Sequence, residues 1–449
     1  MRNVCRFFPG GSAFALVLAI GPILPICAVA APSVYPTGVT IHDKDAYATD
    51  IMFSASDGNT YLIDMTGKVL KNWPNKGEPA AIVDPALVGG RKGVAGLQLA
   101  RADGTTMPQF AGVGLIPGMA IDKVNKTFGL VTWDGKRLWQ WDGPDSVGAA
   151  LQHHDWGKLP SGNMLILSNR VINHARFADR KIVDDMIYEV DPTGKVVWSW
   201  SATDHLDEFG FTPEQLKLVE NADSPDYLHL NAASALGPNH WEKAGDKRFA
   251  ANNIIISSRN ANFVAIIDRE SGHIVWNIGP NYRGQSRADR YKVPRPIDQT
   301  SGQHDPHMIS EGLPGAGNIL LFDNEGDAGY PSVQRPVLGG SRVLEIDPSS
   351  KQVVWQYIGS MSGRPDWTFF SPFVSSVQRL PNGNTLIDEG ANGRFFQVTP
   401  AGKIVWEYVS PYWGPALDSG GGGRSNVIYR AQAVPLSWIP ADSDTASTQ

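Results

Sequence analysis

DPTGKVVWSW, from Asp191 to Trp200, is the stretch whose reading decides the fold. Asp191, Pro192 and Gly194 make a tight turn, and Val196 to Trp200 alternate as a half-buried strand does. The wording returns as DRESGHIVWNI (Asp268 to Ile278), DPSSKQVVWQY (Asp347 to Tyr357) and TPAGKIVWEY (Thr399 to Tyr408). Two degraded copies come earlier, DMTGKVLKNW (Asp64 to Trp73) and WDGKRLWQW (Trp133 to Trp141). A repeat far longer than a heptad is one supersecondary unit copied and packed against its neighbours. Six such units predict an all-β chain closed into a ring, a six-bladed β-propeller with the Trp copies on equivalent strands.

A second signal precedes several copies. KLPSGNMLILSN (Lys158 to Asn169), GLPGAGNILLFDN (Gly312 to Asn324) and RLPNGNTLIDEG (Arg379 to Gly390) share a Gly-Asn turn before an apolar strand. NNIIISSRN (Asn252 to Asn260) is the same strand without the turn, and SDGNTYLID (Ser56 to Asp64) matches it near the N-terminus. Short runs such as IYEVDP, FVAIIDR, RVLEIDP and FFQVTP lie between this strand and the Trp strand, giving three or four strands per blade. Roughly 70 residues per blade exceeds the 40–50 of compact propeller repeats. The excess is expected in long loops around Ser201–Asp226, Gly237–Phe249 and Asn281–Gly302, where a binding surface would be built.

At 449 residues and 10% aromatic content the chain can bury a large core, and no segment reads as an interdomain linker. The charge of −6 carries no basic cluster, so no nucleic-acid partner is expected. Arg2 and Arg6, the apolar run Ser12 to Ile26 and Ala28-Val29-Ala30 read as a signal peptide over residues 1–30. A membrane anchor is the competing reading, but Pro22 and Pro25 break the run. Cleavage moves the charge from −6 to −8, because Arg2 and Arg6 leave with the leader. The propeller is expected over 31–439 and a disordered tail over 440–449. Both cysteines, Cys5 and Cys27, lie in the leader, which excludes disulfides, thiolate metal sites and a cysteine nucleophile from the mature chain. Export to the periplasm or medium is the expected destination, with no membrane association after cleavage.

Histidines carry the candidate chemistry. His153 and His154 in LQHHDW, His229 in YLHLN, and His304 and His307 in GQHDPH each precede, by a similar distance, what reads as the first strand of a blade. In a propeller, equivalent positions of successive blades converge on one axis. Arg259, at the end of the SSRN strand, joins them as an anion clamp, with an ion pair to Asp323 or Glu389 as the alternative. His42, His174, His205, His240 and His273 read as solvated surface residues. Converging imidazoles with an arginine suit two chemistries. One is nucleophilic catalysis on an anionic centre. The other is a zinc or iron site completed by Asp155 or Asp305, against which Arg259 counts. His304 and His307 would face opposite sides of a strand unless Pro306 introduces a bulge.

The chain resembles the bacterial aryl-sulfate sulfotransferases, secreted propeller enzymes that move a sulfuryl group between phenols without a nucleotide donor. The resemblance begins at Gly38 to Trp73, which looks like the opening blade. It runs through HHDW, HLN, SSRN, QHDPH and FDN to NVIYRAQAVP (Asn426 to Pro435). It implies a transiently sulfurylated channel histidine, with two further histidines and an arginine on the sulfuryl oxygens. His304 and His307 share the candidacy for nucleophile, with His229 and Arg259 as catalytic supports. His153, His154, Asn231 and Asn324 are the expected substrate-binding residues. An aryl sulfate donor and a phenolic acceptor are the implied partners, with no cofactor, no metal, and a homodimer as an allowed assembly. The β-sandwich that precedes the propeller in some members is missing, and their disulfide cannot form. A non-enzymatic ligand-binding propeller, lectin-like or scaffold, is the alternative. A metal- or quinone-dependent propeller enzyme is the third reading.

Overall fold

In the computed structural model, residues 36–100, 126–143, 151–280, 300–332, 339–415 and 423–441 are described. The expected signal peptide with the two cysteines, the expected loop stretch 281–299 and residues 442–449 of the expected tail lie outside them. Among the described residues the strands form six antiparallel sheets of four or five strands, the blades of a six-bladed β-propeller, and one two-stranded ribbon of Gly414–Pro415 with Arg424–Ser425. Blade 3 runs Leu151–Lys158, Met164–Asn173, Lys181–Val190, Val196–Ser201. Blade 4 runs Leu230–Ala235, Ile254–Ser258, Phe263–Ile267, Ile274–Ile278. Blade 5 runs His304–Met308, Ile319–Asp323, Arg342–Asp347, Gln352–Tyr357. The first strands of successive blades touch one another, so they line the axis.

The repeated sentence is explained by what its residues bond. Asp191 accepts from the backbone of Thr193 and Lys195, and Asp268 and Asp347 hold their turns in the same way. The strand that follows is the fourth of its blade. The indole of Trp276 donates to the carbonyl of Pro348 in the next blade's turn at 2.8 Å, and Trp355 to that of Pro400 at 2.8 Å. Trp406 reaches Met65 at 2.8 Å, across the seam between the last blade and the first. In blade 3 the second tryptophan of the pair, Trp200, bonds the carbonyl of Gly272 at 2.9 Å. The repeat is therefore a staple between neighbours. In the degraded copies the buried indole nitrogens of Trp73 and Trp141 find no such acceptor among the described residues.

Two expectations are corrected. The histidine segments do not precede the axial strands; they are those strands or abut them, and the Gly-Asn strands are second in their blades. SDGNTYLID supplies a third strand, Thr60–Ile63, because the chain's last strand, Ala431–Val434, takes the axial place in blade 1. Gly38–His42 does not open that blade. It pairs with Ile404–Val409 as a fifth, outer strand of blade 6. The ring is thus closed twice, by both ends of the described chain. The long loops 201–226 and 237–249 carry short helices, Pro213–Glu220 capped by Thr212 and His240–Lys243 capped by Asn239.

Candidate active site

Three successive axial strands share one irregularity. His154, His229 and Asp305 have φ of 58°, 53° and 54°, in the left-handed region that costs a non-glycine residue about 1–3 kcal/mol. At His154 and Asp305 the pairing with the second strand slips, and in blade 4 it slips at Asn231, two residues after His229. Such bulges re-aim side chains next to active sites. The histidines consequently turn towards one another across the blades. The Nε2 atoms of His154 and His229 lie 2.9 Å apart, 75 residues from each other in sequence. Asp226 accepts from Nδ1 of His229 at 2.6 Å, so the Nε2 atoms share a single proton unless a second one binds. Burial pushes Asp226 up, but His229, His153 and Arg259 outweigh it and hold the carboxyl below its ordinary value. Tyr429 stacks on His154, ring centroids 5.2 Å apart.

His304 is buried on the neighbouring strand. Its Nδ1 lies 2.9 Å from the carbonyl of Gly302 and 2.7 Å from Oδ1 of Asn324. The Asn324 amide cannot flip without losing bonds, since its NH₂ donates to the carbonyls of Ser371 and Val374 at 2.7 and 2.8 Å. Two acceptors at Nδ1 put the proton there and leave the lone pair on Nε2. Burial first, then the positive charge of Arg259 and His229, push the His304 pKa down to about 3 against the opposing hydrogen bonds to Asn324 and Gly302. Arg259 follows the second strand of blade 4, beside His229, to whose carbonyl its backbone N–H donates at 3.1 Å. Its stem passes over Gly302, where an added Cβ would meet it at 3.9 Å.

The Arg259 guanidinium makes one hydrogen bond among the described residues, to Oδ1 of Asn260 at 3.1 Å. The alternative ion pair is overturned, because Asp323 is engaged by Arg342 at 2.6 Å and Glu389 by Arg394 at 2.6 Å. His307 lies elsewhere: its Nδ1 meets the carbonyl of Asp305 at 3.0 Å, and the bulge rather than strand alternation sets its direction. His153 points at Asp185, 3.4 Å away in the seam between blades 3 and 4. Asn231 donates to the carbonyl of Gln303 at 2.7 Å.

Sequence reasoning missed Arg430. From the edge of the last strand it reaches Asp155 at 2.9 Å and Asp305 at 3.3 Å, joining the aspartates of the HHD and QHD segments. The same aspartates accept the backbone N–H groups of Ala233 and Val377 in the following blades, both at 2.9 Å. Burial opposes the charge on Arg430, but Asp155 and Asp305 raise its pKa above the ordinary arginine range. Those carboxylates thus tie neighbouring blades together. Arg430→Met should destabilise the fold by about 3–5 kcal/mol, since it strands buried carboxylates. Urea unfolding measures this, and adding Asp155→Asn with Asp305→Asn should recover most of the loss. A lone arginine after an aromatic, outside any repeat, gave no signal beyond being the basic residue in an apolar closing strand.

Residues 106–411 match a family model described as arylsulfotransferase (ASST). The arylsulfate sulfotransferase AssT of Escherichia coli O6:H1 is 24% identical over 298 residues, which are 56% of this chain and 47% of that protein. The chain thus spans about half the length of this relative. Among solved structures, a protein of unknown function from Bacteroides caccae aligns with TM-score 0.46 at 11% identity, covering 86% of this chain and 98% of that one. Virginiamycin B lyase from Staphylococcus aureus aligns with TM-score 0.34 at 12% identity, covering 83% and 89%.

Proposed function

Because the chain belongs to the arylsulfotransferase family, we propose that it carries a sulfuryl group from an aryl sulfate to a phenol through His304, with no nucleotide donor and no metal. One observation carries this reading: Nδ1 of His304 is committed to Gly302 and Asn324, which leaves the lone pair on Nε2, and Arg259 and His229 are close enough to help hold its pKa down. Nε2 attacks sulfur, the bond from sulfur to the aryl oxygen breaks, and the phenolate leaves with the electron pair. That phenolate takes the second proton of a doubly protonated histidine pair, which leaves the single proton between the Nε2 atoms. An acceptor phenol then returns a proton to the pair as its oxygen attacks the same sulfur, and the N–S electrons go back to Nε2. Covalent relay splits one crowded displacement into two in-line steps. Arg259, His229 and His154 hold the three outer oxygens, on which the charge sits throughout. His307 is not assigned a step. Action outside the cytoplasm, after removal of residues 1–30, belongs to the same proposal.

A chromogenic aryl sulfate supplied with and without a phenol tests the reaction. Release of the coloured phenol should depend on the acceptor, double-reciprocal plots should be parallel, and donor alone should leave a sulfuryl adduct on His304 by mass spectrometry. Intersecting lines with no adduct would rule the relay out.

The charge state of the nucleophile has its own test. An exposed imidazole titrates near pH 6.5, whereas His304 takes its proton only as pH falls towards about 3. Its ring resonances should stay fixed between about pH 8 and 5 in an NMR titration. The unfolded chain protonates this histidine near 6.5 and the folded one does not. The stability gained by keeping it neutral is therefore full above pH 6.5 and declines as pH falls from there.

A further inference from the structure

The outer rim of the seam between blades 3 and 4 holds a second histidine cluster, unrelated to the channel. We propose that His205, Glu208 and His273 bind a divalent first-row cation, zinc in the first instance, and that the ion clamps blade 3 to blade 4. His205 and Glu208 belong to the helical turns Thr203–Glu208 that follow the outer strand of blade 3. His273 stands in the turn before the outer strand of blade 4. Nδ1 of His205 and Nδ1 of His273 lie 2.9 and 3.0 Å from the same carboxylate oxygen, Oε1 of Glu208. One atom from each of the three residues falls within 4.8 Å of the others.

Each ligand is held in place from behind. His205 departs from helical geometry, at φ −117° and ψ 15°, and stacks on Trp200 with centroids 4.9 Å apart and planes 11° from parallel. Trp200 is itself tied to Gly272, the residue before His273. Oε2 of Glu208 accepts the backbone N–H of Ile274 at 2.9 Å, which leaves Oε1 for the imidazoles. His205, read from the sequence as solvated, is largely buried by these contacts.

Two imidazole nitrogens and a carboxylate oxygen are a zinc donor set. With bonds of about 2.0–2.2 Å, tetrahedral geometry separates neighbouring donors by roughly 3.3 Å. Each Nδ1 needs to withdraw from Oε1 of Glu208 by only a few tenths of an ångström. Each moves its proton to Nε2 and presents the Nδ1 lone pair, so the ion replaces two hydrogen bonds with three coordinate bonds. The His273 ring is 67% exposed, which leaves the fourth position open to water.

Tag-free protein stripped with a chelator should bind one Co²⁺ at this site with the visible absorption of tetrahedral cobalt. Zn²⁺ should raise the melting temperature increasingly with its concentration, as a ligand of the folded state does. His273→Ala should weaken binding by on the order of tenfold or more, erase the zinc-dependent shift, and leave both the metal-free melting temperature and aryl-sulfate turnover nearly unchanged. Glu208→Gln should also erase the shift. His154→Ala should leave the cobalt spectrum intact, which separates this site from the channel histidines. No zinc-dependent shift in the unmodified protein, or one that survives His273→Ala, would overturn the proposal.

Discussion

Replacing His304 by alanine should lower turnover of an aryl sulfate by on the order of 10⁴-fold or more, the scale on which covalent nucleophiles are lost. The same change at His307 should leave activity within a fewfold of the original. The two residues lie three apart on one strand, yet their surroundings differ. Asn324 and Gly302 fix the His304 proton, and Arg259 and His229 are close enough to depress its pKa. The His307 ring meets the backbone and carboxylate of Asp305. Measuring kcat/KM for both variants, with a circular dichroism check that each folds, decides between them. An active His304→Ala beside a dead His307→Ala would move the nucleophile and take the relay with it.

Arg259→Ala should cost about 10²–10³ in rate, the usual loss when one fixed donor to a developing anion is removed. The variant should fold, because the guanidinium is in no ion pair with a carboxylate among the described residues. Burial lowers the Arg259 pKa, with Asp226 and Asp327 opposing. Arg259→Lys should recover little, since a point charge does not reproduce a planar fork of N–H donors. Full activity in the alanine variant would end the anion-clamp assignment while leaving the His304 step standing.

The blade count was legible because a strand with a tryptophan after a fixed turn must look alike wherever it makes the same bond. Trp276, Trp355 and Trp406 do the same job, so selection for that job wrote one sentence three times. The axial strands were not legible, for the opposite reason. His154 and Asp305 sit on bulges and His229 just before one, and a bulge breaks the alternation by which a strand is recognised. The histidines could be grouped from their spacing, but the choice between His153 and His154 hangs on Asp185 and Asp226, which lie in other segments. Arg430 and the outer strand Gly38–His42 belong to the closure of the ring, and local pattern carries no trace of a contact between chain ends. His205 and His273 escaped because Glu208, which joins them, lies 65 residues from His273.

Closure has a temporal consequence. Ile51 pairs with Ala433, and Gly38 with Val409, so strands near the first described residue wait for partners near the last. Contacts of such separation form late and slowly, because the intervening chain must first be drawn into shape. Arg430 immediately precedes the strand that seals blade 1, and its bonds to Asp155 and Asp305 can form only when that strand arrives. Before it does, blades 2 to 6 can be complete while Asp155 and Asp305 still lack Arg430. The tie between Arg430 and the aspartates of blades 3 and 5 is therefore among the last contacts of the ring to form.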